Sequence, residues 1–70
     1  MKLSARNTLK GRVTSVIHGA VNSEVTIAVA EGVELVAIIT KHSAESLDLV
    51  DGKEVSAVVK ASNVIVATED

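Results

Sequence analysis

An all-β fold with one short helix is what this sequence predicts, and three observations carry the prediction. Val, Ile and Thr alternate with polar residues through most of the chain, the period-two pattern of half-buried strands. Glycine-containing breaks at His18-Gly19-Ala20, Glu31-Gly32 and Asp51-Gly52 cut that pattern into strand-length pieces. Residues 43–49, SAESLDL, depart from the alternation toward helix-compatible composition.

Each element follows in order. The first strand, Asn7–His18, places Leu9, Gly11, Val13 and Ser15 on one face, and Gly11 inside it predicts a bend or a close approach of backbone. Asn22–Ala30 alternates cleanly, with Val25, Ile27 and Val29 inward and Glu24, Thr26 and Ala28 outward. Glu31-Gly32 closes a hairpin into Val33–Thr40. That third segment, VELVAIIT, is apolar on both faces toward its end, which predicts that another chain covers its outer face. Residues 43–49 read as one or two helical turns capped by Thr40 or Ser43. Residues 54–60 form a fourth strand, residues 61–63 break it, and residues 64–68 give a short fifth. Three strands, a helix and two strands match the five-stranded Greek-key barrel known as the OB-fold, with an SH3-like barrel as the nearest competitor. No repeat, proline or low-complexity linker divides the chain, so 1–70 reads as one domain.

Composition narrows the function. A 70-residue domain has a limited core and needs disulfides, a metal or partner subunits to supplement it. With no cysteine and two histidines in different segments, oligomerisation is the remaining route. No apolar run reaches membrane-spanning length, and Arg6, Asn7 and Lys10 interrupt any N-terminal apolar stretch, so the chain reads as unprocessed and cytoplasmic. A formal charge of −2 argues against a phosphate-backbone footprint, and the absence of Phe, Tyr and Trp removes the stacking platforms of single-strand binders.

Two short segments carry the chemistry. Residues 4–11, SARNTLKG, set a hydroxyl, a guanidinium and an amide side by side; residues 60–63, KASN, add an ammonium, a hydroxyl and an amide. Both supply donors, and neither supplies a carboxylate. Arg6 offers five fixed donors to the edge of a tetrahedral oxyanion, against the plainer role of a surface arginine paired with a carboxylate. Ser4 and Asn7 can equally satisfy turn backbone. Lys60 can neutralise a dianion beside the amides of Ala61 and Ser62, or simply be solvated. If its strand returns beside the N-terminus, Lys60 and Arg6 bring two positive charges together and call for a counter-anion. Thr40 and Ser43 flank the helix start, as caps or as anion donors, and His18-Gly19 is a second candidate anion site against the reading of a polar turn. No catalytic motif is present; Asp48 and Asp51 sit at a helix end and a turn, where carboxylates are common for structural reasons.

The segments SARNTLKGRV, ITKHSAESLDL followed by Asp51-Gly52, and VSAVVKASNVIVA resemble the molbindins, or Mop proteins, and the related TOBE domains of molybdate-responsive regulators and transporter ATPases, over nearly the whole chain. The resemblance implies a non-enzymatic OB-fold protein that binds molybdate, and tungstate with it, for intracellular storage or homeostasis. It implies a homohexamer, a trimer of dimers, with oxyanions held between subunits. On that pattern Ser4 and Arg6 meet Lys60, Ala61 and Ser62, with Thr40 and Ser43 contributed across the interface; no family motif extends to His18 and Gly19. No side chain is expected to ligate the metal directly, and no organic cofactor, nucleic acid or membrane is implied. The alternatives are an anion-responsive regulatory or protein-interaction module and, further off, a nucleic-acid-binding OB-fold.

Overall fold

The computed structural model describes Ser4 and residues 6–70, so Ala5 of the SARNTLKG segment lies outside the described residues. Strands β1 (Asn7–His18), β2 (Asn22–Ala30) and β3 (Val33–Thr40) precede a helix, α1 (Lys41–Ser46), which is followed by β4 (Glu54–Val59) and a 3-10 turn, Ala61–Asn63. The four strands form one sheet in the order β3-β2-β1-β4, with every neighbouring pair antiparallel.

β1 is long enough to serve two partners in succession. Its second half pairs with β2, from Arg12 opposite Ala28 to His18 opposite Ser23, while its first half pairs with β4, from Asn7 opposite Val59 to Arg12 opposite Glu54. Gly11 sits in the first half, and a Cβ built there would lie 2.6 Å from the Ala28 carbonyl oxygen and 2.7 Å from Ile27 Cγ2. The close approach expected at this glycine is therefore real, and it lets β2 and β4 share one curved strand.

A register shift between Val13 and Ser15 corrects the expectation that one face runs Leu9, Gly11, Val13, Ser15. The extra residue of a bulge reverses the alternation beyond it, so Val16 packs against the core after Val13. Leu9, at the far end of the row, is exposed. In β2 the alternation holds: Val25 and Ile27 are buried, and Val29 packs against them. Val13, Val25, Ile27 and Ala44 are the buried hydrophobic residues among those described, a small core for a chain of this length.

The helix spans Lys41–Ser46 rather than residues 43–49, for identifiable reasons at both ends. Thr40 is the N-cap, its hydroxyl accepting from the Ser43 amide at 3.0 Å. At the other end Asp48 takes φ +51°, which lets its own amide reach the Glu45 carbonyl and the Leu49 amide reach the Ala44 carbonyl. That is a Schellman termination with aspartate where glycine is usual.

The fourth strand stops at Val59, one residue short of the expected span, and the expected fifth strand does not form. Residues 64–70 are exposed and carry no strand assignment. Their alternation records a preference for extended backbone, but a strand exists only against a partner, and none of the described residues provides one. The sheet is thus the four-stranded part of the expected barrel, open between β3 and β4. Among the described residues no helix is long and apolar enough to cross a membrane.

Candidate functional site

The antiparallel register of β1 and β4 ends at Asn7 opposite Val59. One step further along each strand stand Arg6 and Lys60, which therefore flank the end of the ladder from its two sides. Ser4 lies two residues beyond Arg6, and Lys60 leads into the 3-10 turn in which the Asn63 amide donates to the Lys60 carbonyl at 2.9 Å. Ala61 and Ser62 open that turn, where first-turn amides have no acceptor within the turn itself. Ser4, Arg6, Lys60, Ala61 and Ser62 are all exposed. The fold thus gathers five of the expected site residues at one end of β1, with two cations and no carboxylate in either segment.

The other arginine nearby behaves differently. Arg12 Nη2 lies 3.2 Å from Glu54 Oε1, the ion pair found among the described residues. Its guanidinium is already engaged with a carboxylate, whereas Arg6 and Lys60 form no ion pair among those residues.

The remaining candidates gather at the opposite end of β1. His18 pairs with Ser23, and Thr40 pairs with Asn22 on the adjoining strand, so His18, Gly19, Thr40 and Ser43 share that end. Gly19 donates to the Asn22 carbonyl at 2.8 Å, and the Lys41 amide to the Val21 carbonyl at 2.7 Å, which locks the β1–β2 turn against the helix start. Thr40 Oγ1 accepts from the Ser43 amide and donates to Ser43 Oγ at 2.8 Å. With Thr40 fully used as a cap, the Ser43 hydroxyl accepts from it and keeps its own proton for an outside acceptor.

Ser23 is the residue sequence reasoning missed. It is buried, and its hydroxyl lies 2.6 Å from His18 Nδ1. The signal was present in the β2 alternation, which puts position 23 on the same inward face as Val25 and Ile27, a place where a polar side chain needs a partner.

Twelve residues of β1 separate the two clusters, roughly 36 Å of strand contour. Neither cluster lies at the hollow of about 840 Å³ around residues 10–12, 28–31 and 54–56. Lys10, Arg12, Glu31 and Glu54 border that hollow, two charges of each sign. Among the described residues no group of three or more His, Asp or Glu side chains is placed to hold a metal ion.

A curved antiparallel sheet with one capped helix accords with what known proteins show. The TOBE domain family model matches residues 3–66. A probable molybdenum-pterin-binding protein of Haemophilus influenzae is 42% identical over 69 residues, covering 99% of this chain and 100% of that protein. The chain belongs to the molbindin family of TOBE domains. Another molbindin-like relative, the molybdenum transport protein ModE of Azotobacter vinelandii, is 51% identical over 69 residues, and this chain spans only 26% of its length. The structure of a molybdate binding protein from Sporomusa ovata superposes with a TM-score of 0.91 at 41% identity, covering 97% of this chain and all of that one. The molbindin fold is therefore matched along the chain as well as in the individual segments.

Proposed function

We propose that this molbindin domain binds molybdate, and tungstate with it, as a non-enzymatic store in the cytoplasm, at sites completed only between copies of the chain. The observation that carries the reading is the placement of Arg6 and Lys60 one residue beyond the last pair of the β1–β4 ladder, with Ser62 two residues after Lys60 and no carboxylate in either segment. Two like charges so placed repel one another, and a dianion between them removes the repulsion. Molybdate carries four oxygens, two negative charges and no proton at neutral pH, so a surround made only of donors suits it. Phosphate usually keeps a proton and needs an acceptor as well. The names of the relatives support the ligand, since both a molybdate binding protein and molybdenum-pterin-binding proteins align along nearly the whole chain.

The intersubunit part of the reading rests on distance. Ser43 offers a free hydroxyl proton, but it stands at the far end of β1 from Arg6 and Lys60. An ion a few ångströms across cannot touch both ends of one chain, whereas a homo-oligomer, a hexamer built as a trimer of dimers, can bring the Thr40–Ser43 end of one copy to the Arg6–Lys60 end of another. His18 and Gly19, at the Thr40 end, then line a second anion site. No organic cofactor, nucleic acid or membrane enters this scheme.

Calorimetric titration of molybdate into the purified chain tests the reading. Heat of binding is expected, with a melting temperature that rises as ligand is added, by about 2.7 kcal/mol of stability at a hundredfold excess over the dissociation constant. Neither heat nor stabilisation at millimolar molybdate would end it.

A second reading has one specific support: the chain corresponds to about a quarter of a transport protein, so the same domain also works as part of larger polypeptides. In that reading the bound anion switches contacts with another protein. A stoichiometric partner recovered only in the presence of molybdate would favour it.

A further inference from the structure

Ser23 is buried, and its hydroxyl lies 2.6 Å from His18 Nδ1. Which of the two groups donates decides what His18 offers to the outside. Among the described residues the Ser23 hydroxyl has no other hydrogen-bond partner, and no buried side-chain nitrogen or oxygen is left unsatisfied. If Nδ1 carried the proton, Ser23 would accept, and its own proton would be buried with nothing to receive it, a costly arrangement. With Ser23 donating and Nδ1 accepting, both groups are satisfied, and the proton of the neutral imidazole sits on Nε2. The two ring nitrogens point in divergent directions. Once Nδ1 is turned to the buried hydroxyl, Nε2–H turns outward, on a residue that is itself exposed.

The backbone holds the ring in place. His18 ends β1 opposite Ser23, and the next amide, that of Gly19, donates to the Asn22 carbonyl at 2.8 Å. A Cβ on Gly19 would lie 2.9 Å from that same carbonyl oxygen, so the turn closes tightly only on glycine. A matching arrangement stands on the adjoining strand. Ser23 pairs with Ile39, and the next residue, Thr40, donates to Ser43 Oγ at 2.8 Å, which leaves the Ser43 proton free as well. The carboxylates of β2 and α1 point elsewhere: Glu24 follows Ser23 and takes the other face of the sheet, and Glu45, two residues beyond Ser43, lies off its side of the helix.

We infer that Ser23 is a positioning residue of the second anion site: by donating to His18 Nδ1 it fixes the imidazole as an outward Nε2–H donor to an oxyanion. The anion part rests on the proposed site at His18 and Gly19. Ser23 touches no ligand and acts through the ring. An inner hydroxyl that donates into an imidazole also polarises the N–H on its far side, as hydrogen bonds in series do. Without Ser23 the ring is free to turn and to carry its proton on either nitrogen, and in one of those forms it meets an anion with a lone pair.

Long-range 1H–15N NMR of the imidazole tests this, at a pH where the ring is neutral. The chain has two histidines, and His42→Asn leaves His18 as the one observed. In molybdate-free buffer a pyridine-type Nδ1 and a pyrrole-type Nε2 are expected; a pyrrole-type Nδ1 would overturn the inference, whatever the ligand proves to be. In Ser23→Ala the two nitrogens are expected to share the proton, and ring signals identical to those of the unsubstituted chain would overturn it. Molybdate is then added. The Nε2–H resonance is expected to shift as the ion binds, with an affinity read at His18 roughly threefold to tenfold weaker in Ser23→Ala. Heat of molybdate binding in calorimetry with the His18 resonances unmoved would overturn the inference and leave the reading of the ligand standing, whereas the absence of any heat would end that reading and the anion role of His18 with it.

Discussion

Arg6 and Lys60 stand directly beyond the last pair of the β1–β4 ladder, Asn7 opposite Val59, each one residue outside its strand. Arg12, six residues along the same strand, instead has Glu54 at 3.2 Å. One arginine is supplied with a carboxylate by the fold, and the other is set beside a lysine.

That difference predicts unequal effects of removing the two guanidinium groups. Arg6→Ala is expected to weaken molybdate binding by about 1.5–3 kcal/mol, the range for hydrogen bonds to charged groups. Arg12→Ala is expected to leave affinity nearly unchanged. Titration calorimetry on the two variants checks this, and equal losses would place the ion elsewhere.

Thr40 and Ser43 are joined by two hydrogen bonds but are expected to fail differently. Thr40→Ala removes the helix cap and should lower stability by about 0.5–2 kcal/mol in urea unfolding. Ser43→Ala keeps the amide that Thr40 caps, so its main effect is expected on molybdate affinity, again about 1.5–3 kcal/mol. A Ser43→Ala variant that loses stability and keeps its affinity would reduce this hydroxyl to a capping role.

His18 and Ser23 form a pair whose worth a double-mutant cycle can read. His18→Ala leaves the buried Ser23 hydroxyl, now 2.6 Å from the ring nitrogen, without its partner. The expected cost is about 1–3 kcal/mol of stability. Adding Ser23→Ala should recover much of that loss, because no buried polar atom is then left unpaired. Strictly additive losses would show that the two side chains act independently.

Much of the fold was legible because its signals are local. Alternation marked β2, the glycine turns marked the hairpins, and Gly11 marked the close approach of β1 to Ala28. What escaped depends on relations that neighbouring residues do not encode. The bulge at Thr14, which hands the inward face from Val13 to Val16, leaves no compositional trace. Asp48 ends the helix by adopting positive φ, where a glycine would have been recognised. The fifth strand was visible as a pattern in residues 64–68, but a pattern names no partner. At the candidate site, the nearness of Arg6 to Lys60 could be guessed if the strands paired; the grouping of His18 with Thr40 at the far end of β1 could not.

The helix end offers a prediction of the opposite sign. Asp48 holds φ +51° on the surface, a conformation that costs an L-residue and not glycine. Asp48→Gly is expected to raise stability by up to about 1 kcal/mol, read as a higher urea midpoint at unchanged slope. Gly11→Ala, by contrast, forces a methyl within 2.6 Å of the Ala28 carbonyl oxygen. A loss of about 1–3 kcal/mol is expected there, and a neutral outcome would mean that β1 and β2 separate easily at this point.

The convergence of the two donor clusters from different copies is tested most directly by complementation. One variant carries Arg6→Ala with Lys60→Ala, the other Thr40→Val with Ser43→Ala, and each alone is expected to lose high-affinity molybdate binding in calorimetry. Refolded together in equal amounts, the chains should regain about one quarter of the sites, because random association pairs an intact cluster of one kind with an intact cluster of the other at that frequency. A mixture that binds no better than its separate components would contradict a site shared between copies.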